Sequence, residues 1–429
     1  MNPKKLVRKV LPKNGSKLAE EAYRKGRVYT LQAAHRFPAK GMRVIMVTGT
    51  NGKTTTTMLI NAMLKSAGYK TAMFTTAVIE IDGKAQPNHT HRTVVLTAEL
   101  VRLLERARAA QVDFVVLEVT SMALHQHKML GIPVEIAVMT NLTQDHLDYH
   151  RTMENYAAAK ARLLNGYMKP DKVVLNRDDD WYDYFKQQSI VEPVSYGEQA
   201  GATTRIEDVH VGAKGSNWVL REQGKQFKLS SNLTGRFNVY NATAAACVGL
   251  LLGLSVEQIQ TGIMALQAVP GRMELVDAGQ PFTVLVDYAV TPDALQNVLQ
   301  TGRGITDKGR VIVVFGATGD RDTSKRPIMG EVAAKYADYT VLTDDETYTE
   351  DPAAIRQAVR EGLVAAKGTF VEVGDRKKAI MAAFAEAKPG DVVILTGIGH
   401  QDSRNMGGKL IAWDEREVAK ELLRAFSKK

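Results

Sequence analysis

Residues 43–60 read RVIMVTGTNGKTTTTMLI, and the order of their parts decides the fold. Arg43 to Val47 is apolar enough for a central strand of a parallel sheet. Gly49 and Gly52 let backbone N–H groups approach phosphate oxygens, Lys53 can bridge the outer phosphates, and Thr54 stands where a helix opens and a hydroxyl can meet Mg²⁺. The longer form of this loop, G-x-x-x-x-G-K-[ST], needs glycine at position 47, where Val47 stands, so this is a shorter variant. Strand, glycine loop and helix in this order commit the chain to a nucleoside triphosphate.

The alternation continues outward. Apolar runs MRVIMV, KTAMFTT, DFVVLE and EIAVMTN are separated by helical patterns, which predicts a parallel sheet with crossover helices. Residues 204–231 alternate apolar and polar residues around turns at Ala213-Lys214-Gly215 and Gln223-Gly224-Lys225, predicting a small antiparallel excursion. A helical pair from Asn238 to about Leu266 closes this unit, and Pro270-Gly271 marks a hinge. FTVLVDY, RVIVVFG, DYTVLTD, TFVEV and DVVILTG then form a second, doubly wound α/β series. The expected division is a short basic extension at 1–40, an ATP-binding domain at 41–269 and a C-terminal Rossmann-like domain at 270–429.

Composition narrows the class. With 45% hydrophobic and 24% charged residues among 429, the chain can bury large cores. It has no run of eighteen apolar residues and no leader-like N-terminus, so no transmembrane segment is expected and a cytoplasmic location is. One cysteine, Cys247, excludes disulfide frameworks and cysteine-rich metal sites. The basic residues are spread along the chain and no basic, aromatic-interleaved stripe appears, which argues against nucleic acid; an anionic nucleotide or acidic substrate explains the net charge of +9 as well. Six basic residues lie in the first seventeen positions; a helix on a membrane or partner surface competes there with a solvated helical face, and the solvated face is the reading adopted.

Ligands of open parallel sheets gather at the carboxyl ends of strands. Glu118 ends DFVVLE beside the phosphate loop, placed to hold Mg²⁺ through one oxygen. The strand EIAVMTN leads to His146 at the same rim.

Taken together, VTGTNGKTTTT, VLEVTSMALHQHK, TNLTQDHLDYH, YAAAKARLL, GRFNVYNATAA, PGRMELVD, DYAVTPDAL, GATGDRDTSKRP, TDDETYTEDP and TGIGHQD resemble the ATP-dependent Mur ligases, and most closely the UDP-N-acetylmuramoyl-tripeptide synthetases. The resemblance covers about residues 41–429. It implies transfer of the γ-phosphoryl group of ATP to a substrate carboxylate and attack of an amine on the acyl phosphate. It implies that Gly49, Thr50, Asn51, Gly52, Lys53 and Thr55 hold the triphosphate, and that Thr54, Glu118, His146 and a carbamylated Lys160 serve two Mg²⁺ ions. Lys53, Glu118, His146 and Lys160 are then the catalytic set. Asn238, Asn241, Arg272 and Asp287 fall to the nucleotide, and Ser121, Lys128, Arg326, Asp345, Glu346, Tyr348, Gly397 and His400 to the acid and amine. Asp320-Arg321-Asp322 and Lys325-Arg326-Pro327 are expected to line the cleft face of the second domain. The implied partners are ATP, a muramyl-peptide-like acid and an amino acid, with the chain acting as a monomer.

Five departures from the family pattern bear on substrates. Some forty residues precede the loop strand, where the family carries a domain that grips UDP, and HTHRTVVL at 89–96 lacks the usual Thr-Thr-Pro. The Asp-Asn-Pro-Arg motif is Asp345, Glu346, Thr347 and Tyr348, with no arginine at that place. Val290 and the segment Gly397, Ile398, Gly399, His400, Gln401 replace Asp-Tyr-Ala-His and Gly-Lys-Gly-His-Glu residues. Loss of the arginine removes a bidentate carboxylate clamp and Glu346 adds negative charge, so lysine or ornithine is expected ahead of meso-diaminopimelate. Competing readings are a related ligase of cyanophycin or poly-γ-glutamate type, and a non-catalytic nucleotide-binding partner. The latter would be marked by loss of Lys53, Glu118, His146 or Lys160, all of which are present.

Overall fold

A computed structural model describes residues 13–90, 93–94, 96–212, 214–306 and 308–426. The first twelve residues of the basic extension, three residues of the 89–96 loop and Ala213 of one expected turn lie outside the described residues. The strands of the first sheet are β1 (Arg43–Thr48), β2 (Thr71–Phe74), β3 (Val78–Ile81), β4 (Lys84–Pro87), β5 (Phe114–Glu118), β6 (Ile136–Met139), β7 (Lys172–Asn176), β8 (Val194–Gly197), β9 (Thr204–Gly212), β10 (Gly215–Glu222) and β11 (Lys225–Ser231). Their spatial order is β11-β10-β9-β8-β7-β6-β1-β5-β2-β3-β4.

The strand read first, β1, lies in the middle, paired in parallel with β5 on one side and β6 on the other. Strand order reverses there, and such a switch point opens a crevice at the carboxyl ends. The register sets Val47 against Glu118 and Thr48 against Met139, which puts the phosphate loop, Glu118 and Thr140 at one rim. Alternate residues of β1 face opposite cores. Val44 and Met46 join Val115, Leu117 and Ala137, while Ile45 and Val47 join Val116, the loop helix Lys53–Ser66 and the helix Arg236–Leu251.

The antiparallel stretch at 204–231 is not a separate excursion. β8 pairs in parallel with β9, so the hairpins extend the same sheet. The hairpin β3–β4 at the other edge is not among the expected strands, although Asp82-Gly83 announces it: both residues are left-handed, at φ 49° and 75°, as a two-residue I′ turn requires.

The second sheet runs β12-β13-β17-β14-β15-β16, formed by β12 (Glu274–Val276), β13 (Thr283–Asp287), β14 (Val311–Phe315), β15 (Tyr339–Leu342), β16 (Phe370–Glu372) and β17 (Val392–Thr396). All its pairings are parallel except β12 on the edge. The carboxyl ends of β13, β15 and β17 deliver Asp287, residues 343–348 and Gly397 towards the first sheet. A hairpin of β18 (Ser403–Met406) and β19 (Lys409–Ala412) follows.

Candidate active site

The phosphate loop is held rigid by its neighbour across the switch point. Thr50 N donates to Asn141 O at 2.9 Å, Asn51 N to Asn141 Oδ1 at 2.8 Å, and Thr140 Oγ1 to Asn51 O at 2.6 Å. Gly52 caps the loop helix in the left-handed region at φ 83°, where a Cβ would also lie 2.2 Å from Asn241 Oδ1. A Cβ on Gly49 would meet Thr140 Oγ1 at 1.8 Å, so close packing of the loop demands glycine twice. Lys53 Nζ donates to Gly49 O at 3.0 Å and Thr50 O at 2.7 Å, and burial lowers its pKa against the opposing pull of Glu118.

Behind the loop, Thr54 Oγ1 donates to Glu118 Oε2 at 2.9 Å, and Thr76 N donates to the same oxygen at 2.8 Å. Thr76 Oγ1 donates to Glu118 Oε1 at 3.0 Å. A hydroxyl and one carboxylate at a phosphate loop suit a magnesium ion that takes its other oxygens from phosphate and water. Among the described residues no three His, Cys, Asp or Glu side chains converge into a metal cage. His146, left-handed at φ 56°, turns Nε2 to Asp145 Oδ2 at 3.4 Å, and Asp145 meets Lys325 of the second domain at 3.2 Å.

Lys160 is 1% exposed, with its ammonium group over the Tyr156 ring at 4.7 Å and Nζ donating to Gly49 O at 2.6 Å. Burial, reinforced by the nearby charge of Lys53, drives its pKa well below that of a free lysine. A lowered pKa makes the uncharged, nucleophilic amine more accessible, and CO₂ is the electrophile that would convert it to an anionic ligand.

A cleft of about 1130 Å³ separates the two sheets. It is lined by Thr50 to Thr55, Glu118, Lys128, His146 and Asn241 on one side and by Arg272, Asp287, Glu346, Tyr348 and Gly397 on the other. Arg272 lies over the Tyr288 ring at 4.7 Å, and Asp287, pushed up to about 6 by burial against the pull of Arg272, accepts from Met273 N at 2.8 Å. Glu346 accepts from Asn405 N at 3.0 Å and Gln401 Nε2 at 3.3 Å.

Several expected residues stand behind the wall instead. Gly49 and Lys160 lie beneath the loop, and Asn238 supports Asn241, accepting its amide at 3.0 Å. Ser121 is bonded to His150 Nε2 at 2.9 Å, and His400 packs on Tyr288 with ring centroids 5.3 Å apart. Asp345 is 2% exposed beneath Gly397. Arg326 makes a two-pronged pair with Glu350 at 2.8 and 2.7 Å, a partner the sequence reading did not supply. Of the flanking blocks, Arg321 and Lys325 line the cleft.

Three contributors went unnamed in the sequence reading. Asn141 buttresses the loop; its signal was the polar pair Thr140-Asn141 at the exit of β6. Tyr156 sits one helical turn before Lys160, and its hydroxyl meets Thr50 Oγ1 at 3.2 Å. Asp293 reaches across the cleft to accept from Asn51 Nδ2 at 2.7 Å, a contact between residues 242 apart that no local pattern announces.

The chain matches the Mur ligase middle domain over residues 47–249 and the Mur ligase glutamate ligase domain over residues 271–399. It is 41% identical over 391 residues to the UDP-N-acetylmuramoyl-L-alanyl-D-glutamate--2,6-diaminopimelate ligase of Syntrophomonas wolfei, covering 90% of this chain and 79% of that one. The enzyme of the same name from Geobacillus kaustophilus is 40% identical, with 89% and 79% covered. A solved structure of a ligase of that name superposes with a TM-score of 0.64 at 32% identity, over 95% of this chain and 83% of that one. Folylpolyglutamate synthase of Mycobacterium tuberculosis, solved with ADP, shares the fold at a TM-score of 0.71 and 19% identity, over 87% of this chain and 91% of that one. The rigid glycine loop, the two facing sheets and these likenesses agree: the chain belongs to the Mur ligase family of ATP-dependent ligases.

Proposed function

We propose that the chain joins an amino acid to the carboxylate of a muramyl-peptide precursor of peptidoglycan, using ATP, in the cytoplasm and as a monomer. The observation that carries this reading is a single cleft in which the phosphate loop and Glu118 face Arg272, Asp287, Glu346 and Tyr348 from the other sheet. The division near residue 270 then separates a triphosphate half from a closing half.

In this reading loop N–H groups and Lys53 bind the phosphates, and Asn241, Arg272 and Asp287 orient the rest of the nucleotide. Thr54 and Glu118 would hold one magnesium ion, with His146 and a carbamylated Lys160 serving a second, and the ions would neutralise charge during phosphoryl transfer. The substrate carboxylate gains the phosphoryl group, the amine attacks the acyl carbon, and phosphate leaves. Closure of the second domain over the loop, through contacts such as Asn51 with Asp293 and Asp145 with Lys325, keeps water from the acyl phosphate.

The identity of the amine needs revision. Lysine or ornithine is expected from the sequence because no arginine stands at position 348 and Glu346 adds negative charge, yet the relatives above are named for 2,6-diaminopimelate. Arg321, from a separate segment, lies over the Tyr348 ring at 4.8 Å, so a guanidinium does reach this part of the cleft. That removes the first premise of the charge argument, while Glu346 remains in the lining, and diaminopimelate becomes the first amine to test. ADP release is measured with UDP-linked and UDP-free muramyl dipeptide, each against diaminopimelate, lysine and ornithine. Turnover with diaminopimelate is expected; silence with every acid and amine pair would overturn the assignment.

A further inference from the structure

The net charge of the whole chain resides in its first forty residues. They hold eleven lysines and arginines against two glutamates, a balance of +9 equal to that of all 429 residues, while residues 41–429 balance to zero. Binding of a triphosphate does not account for this, because Lys53, Lys160 and Lys325 belong to the neutral remainder.

The helix Lys13–Ala34 is seated on the first domain by one face. Val28 is 5% exposed and Gln32 fully buried, Glu21 reaches His127 Nε2 at 3.3 Å, and His35 just beyond the helix pairs with Glu105 at 2.8 Å. Both acidic residues are drawn into local pairs, Glu20 with Arg24 at 2.7 Å and Glu21 with Lys25 at 3.3 Å. The opposite face is exposed. Ala22, Gly26 and Thr30 run along its middle, Tyr23 and Arg27 flank one side, and Lys25 and Tyr29 the other; Arg36 and Lys40 continue the positive charge. Tyr23 is 49% and Tyr29 56% exposed, the Tyr29 ring keeping one edge contact with Phe37 at 5.2 Å between centroids. In sequence, residues 4–11 read KKLVRKVL, basic pairs alternating with apolar pairs at helical spacing.

We infer that this basic, tyrosine-bearing face docks on the surface of an anionic phospholipid bilayer. Lysine and arginine are drawn to acidic headgroups, and tyrosine favours the layer between headgroup and acyl chain. Among the described residues no helix is long and apolar enough to cross a membrane, so the contact lies in the plane of the surface. The apolar pairs at Leu6-Val7 and Val10-Leu11 favour lipid over nucleic acid, since a phosphate backbone gives them nothing apolar to cover.

The test is flotation of the full chain with phosphatidylcholine vesicles made with or without phosphatidylglycerol, beside a Lys25→Gln, Arg27→Gln, Arg36→Gln, Lys40→Gln variant. The intact chain binds only the phosphatidylglycerol vesicles and is released by salt, and the variant binds roughly a hundredfold more weakly. Unchanged ligase turnover of the variant in solution shows that it folds. Equal binding to both vesicle types, a variant that binds like the intact chain, or duplex DNA or RNA displacing the vesicles at the same salt concentration would overturn the inference. Vesicle binding is read without substrate, so it stands or falls apart from the ligase assignment.

Discussion

The two walls of the cleft are built on different principles. The phosphate wall is made of backbone: loop amides and carbonyls fixed by Thr140 and Asn141, with glycines at 49 and 52 because a Cβ would strike a neighbour. The facing wall, the amine wall of the proposed reading, is made mostly of side chains from separate segments, with Arg321 over the Tyr348 ring and Gln401 Nε2 and the Asn405 backbone N–H donating to Glu346. A backbone site admits few sequences, whereas a side-chain site can keep its chemistry while each position changes. The first should therefore fail abruptly on substitution, and the second should change its preference.

The largest effect is expected on the phosphate wall. Lys53→Ala removes the cation seated on the loop carbonyls, and ADP release should fall about a thousandfold, in the range seen when one charge-stabilising group is lost from a phosphoryl-transfer or oxyanion site. A loss below tenfold would mean that the loop amides alone carry the phosphates. Lys160→Ala comes next. If the buried amine acts as a carbamate, turnover should fall about a hundredfold and recover in part with acetate or another short carboxylic acid, whereas unchanged turnover removes Lys160 from the metal shell.

The same contrast explains what could be read from the chain. The strand, loop and helix at 43–60 are contiguous, so their order carried the fold, and Glu118 followed from the rule that strand exits line the crevice. Arg321 was expected at the cleft from its block Asp320-Arg321-Asp322, and Asp293 lies within DYAVTPDAL, but no local pattern announces what they meet, the Tyr348 ring and Asn51. The antiparallel strands at 204–231 were legible as hairpins but not as a continuation of the main sheet, because that depends on a single parallel pairing of β8 with β9. Tyr348 misled for a physical reason: a missing arginine in one motif says nothing about a guanidinium supplied by another.

At the seam between the walls lies Asp287, whose pKa burial raises from 3.8 to about 6. The folded chain holds this proton more tightly than the unfolded one, so folding takes up a proton between about pH 4 and 6 and stability declines as pH rises through that window. Above it the cost levels off at about 2–3 kcal/mol, from 1.36 kcal/mol per pKa unit. Asp287→Asn, which keeps an acceptor for Met273 N, should lack this component. Denaturant midpoints of the two proteins should thus diverge with rising pH in favour of the variant, and a constant difference would show that Asp287 titrates alike in the folded and unfolded chain.

The smallest expected effect sharpens the amine wall. If Arg321 supplies the charge missing at position 348, Arg321→Ala should lower kcat/KM for diaminopimelate by about tenfold to a hundredfold, the worth of a charge-assisted hydrogen bond pair, while leaving lysine nearly untouched because lysine lacks the distal carboxylate. Glu346→Gln, which keeps the size of the side chain and its acceptor for Asn405 N, should weaken both amines if that carboxylate receives the distal ammonium they share. Equal losses on both amines from Arg321→Ala would place Arg321 on a group common to every amino acid. The preference would then have to be set by Tyr348 and Glu346, returning the cleft to the lysine-type chemistry suggested by the sequence alone.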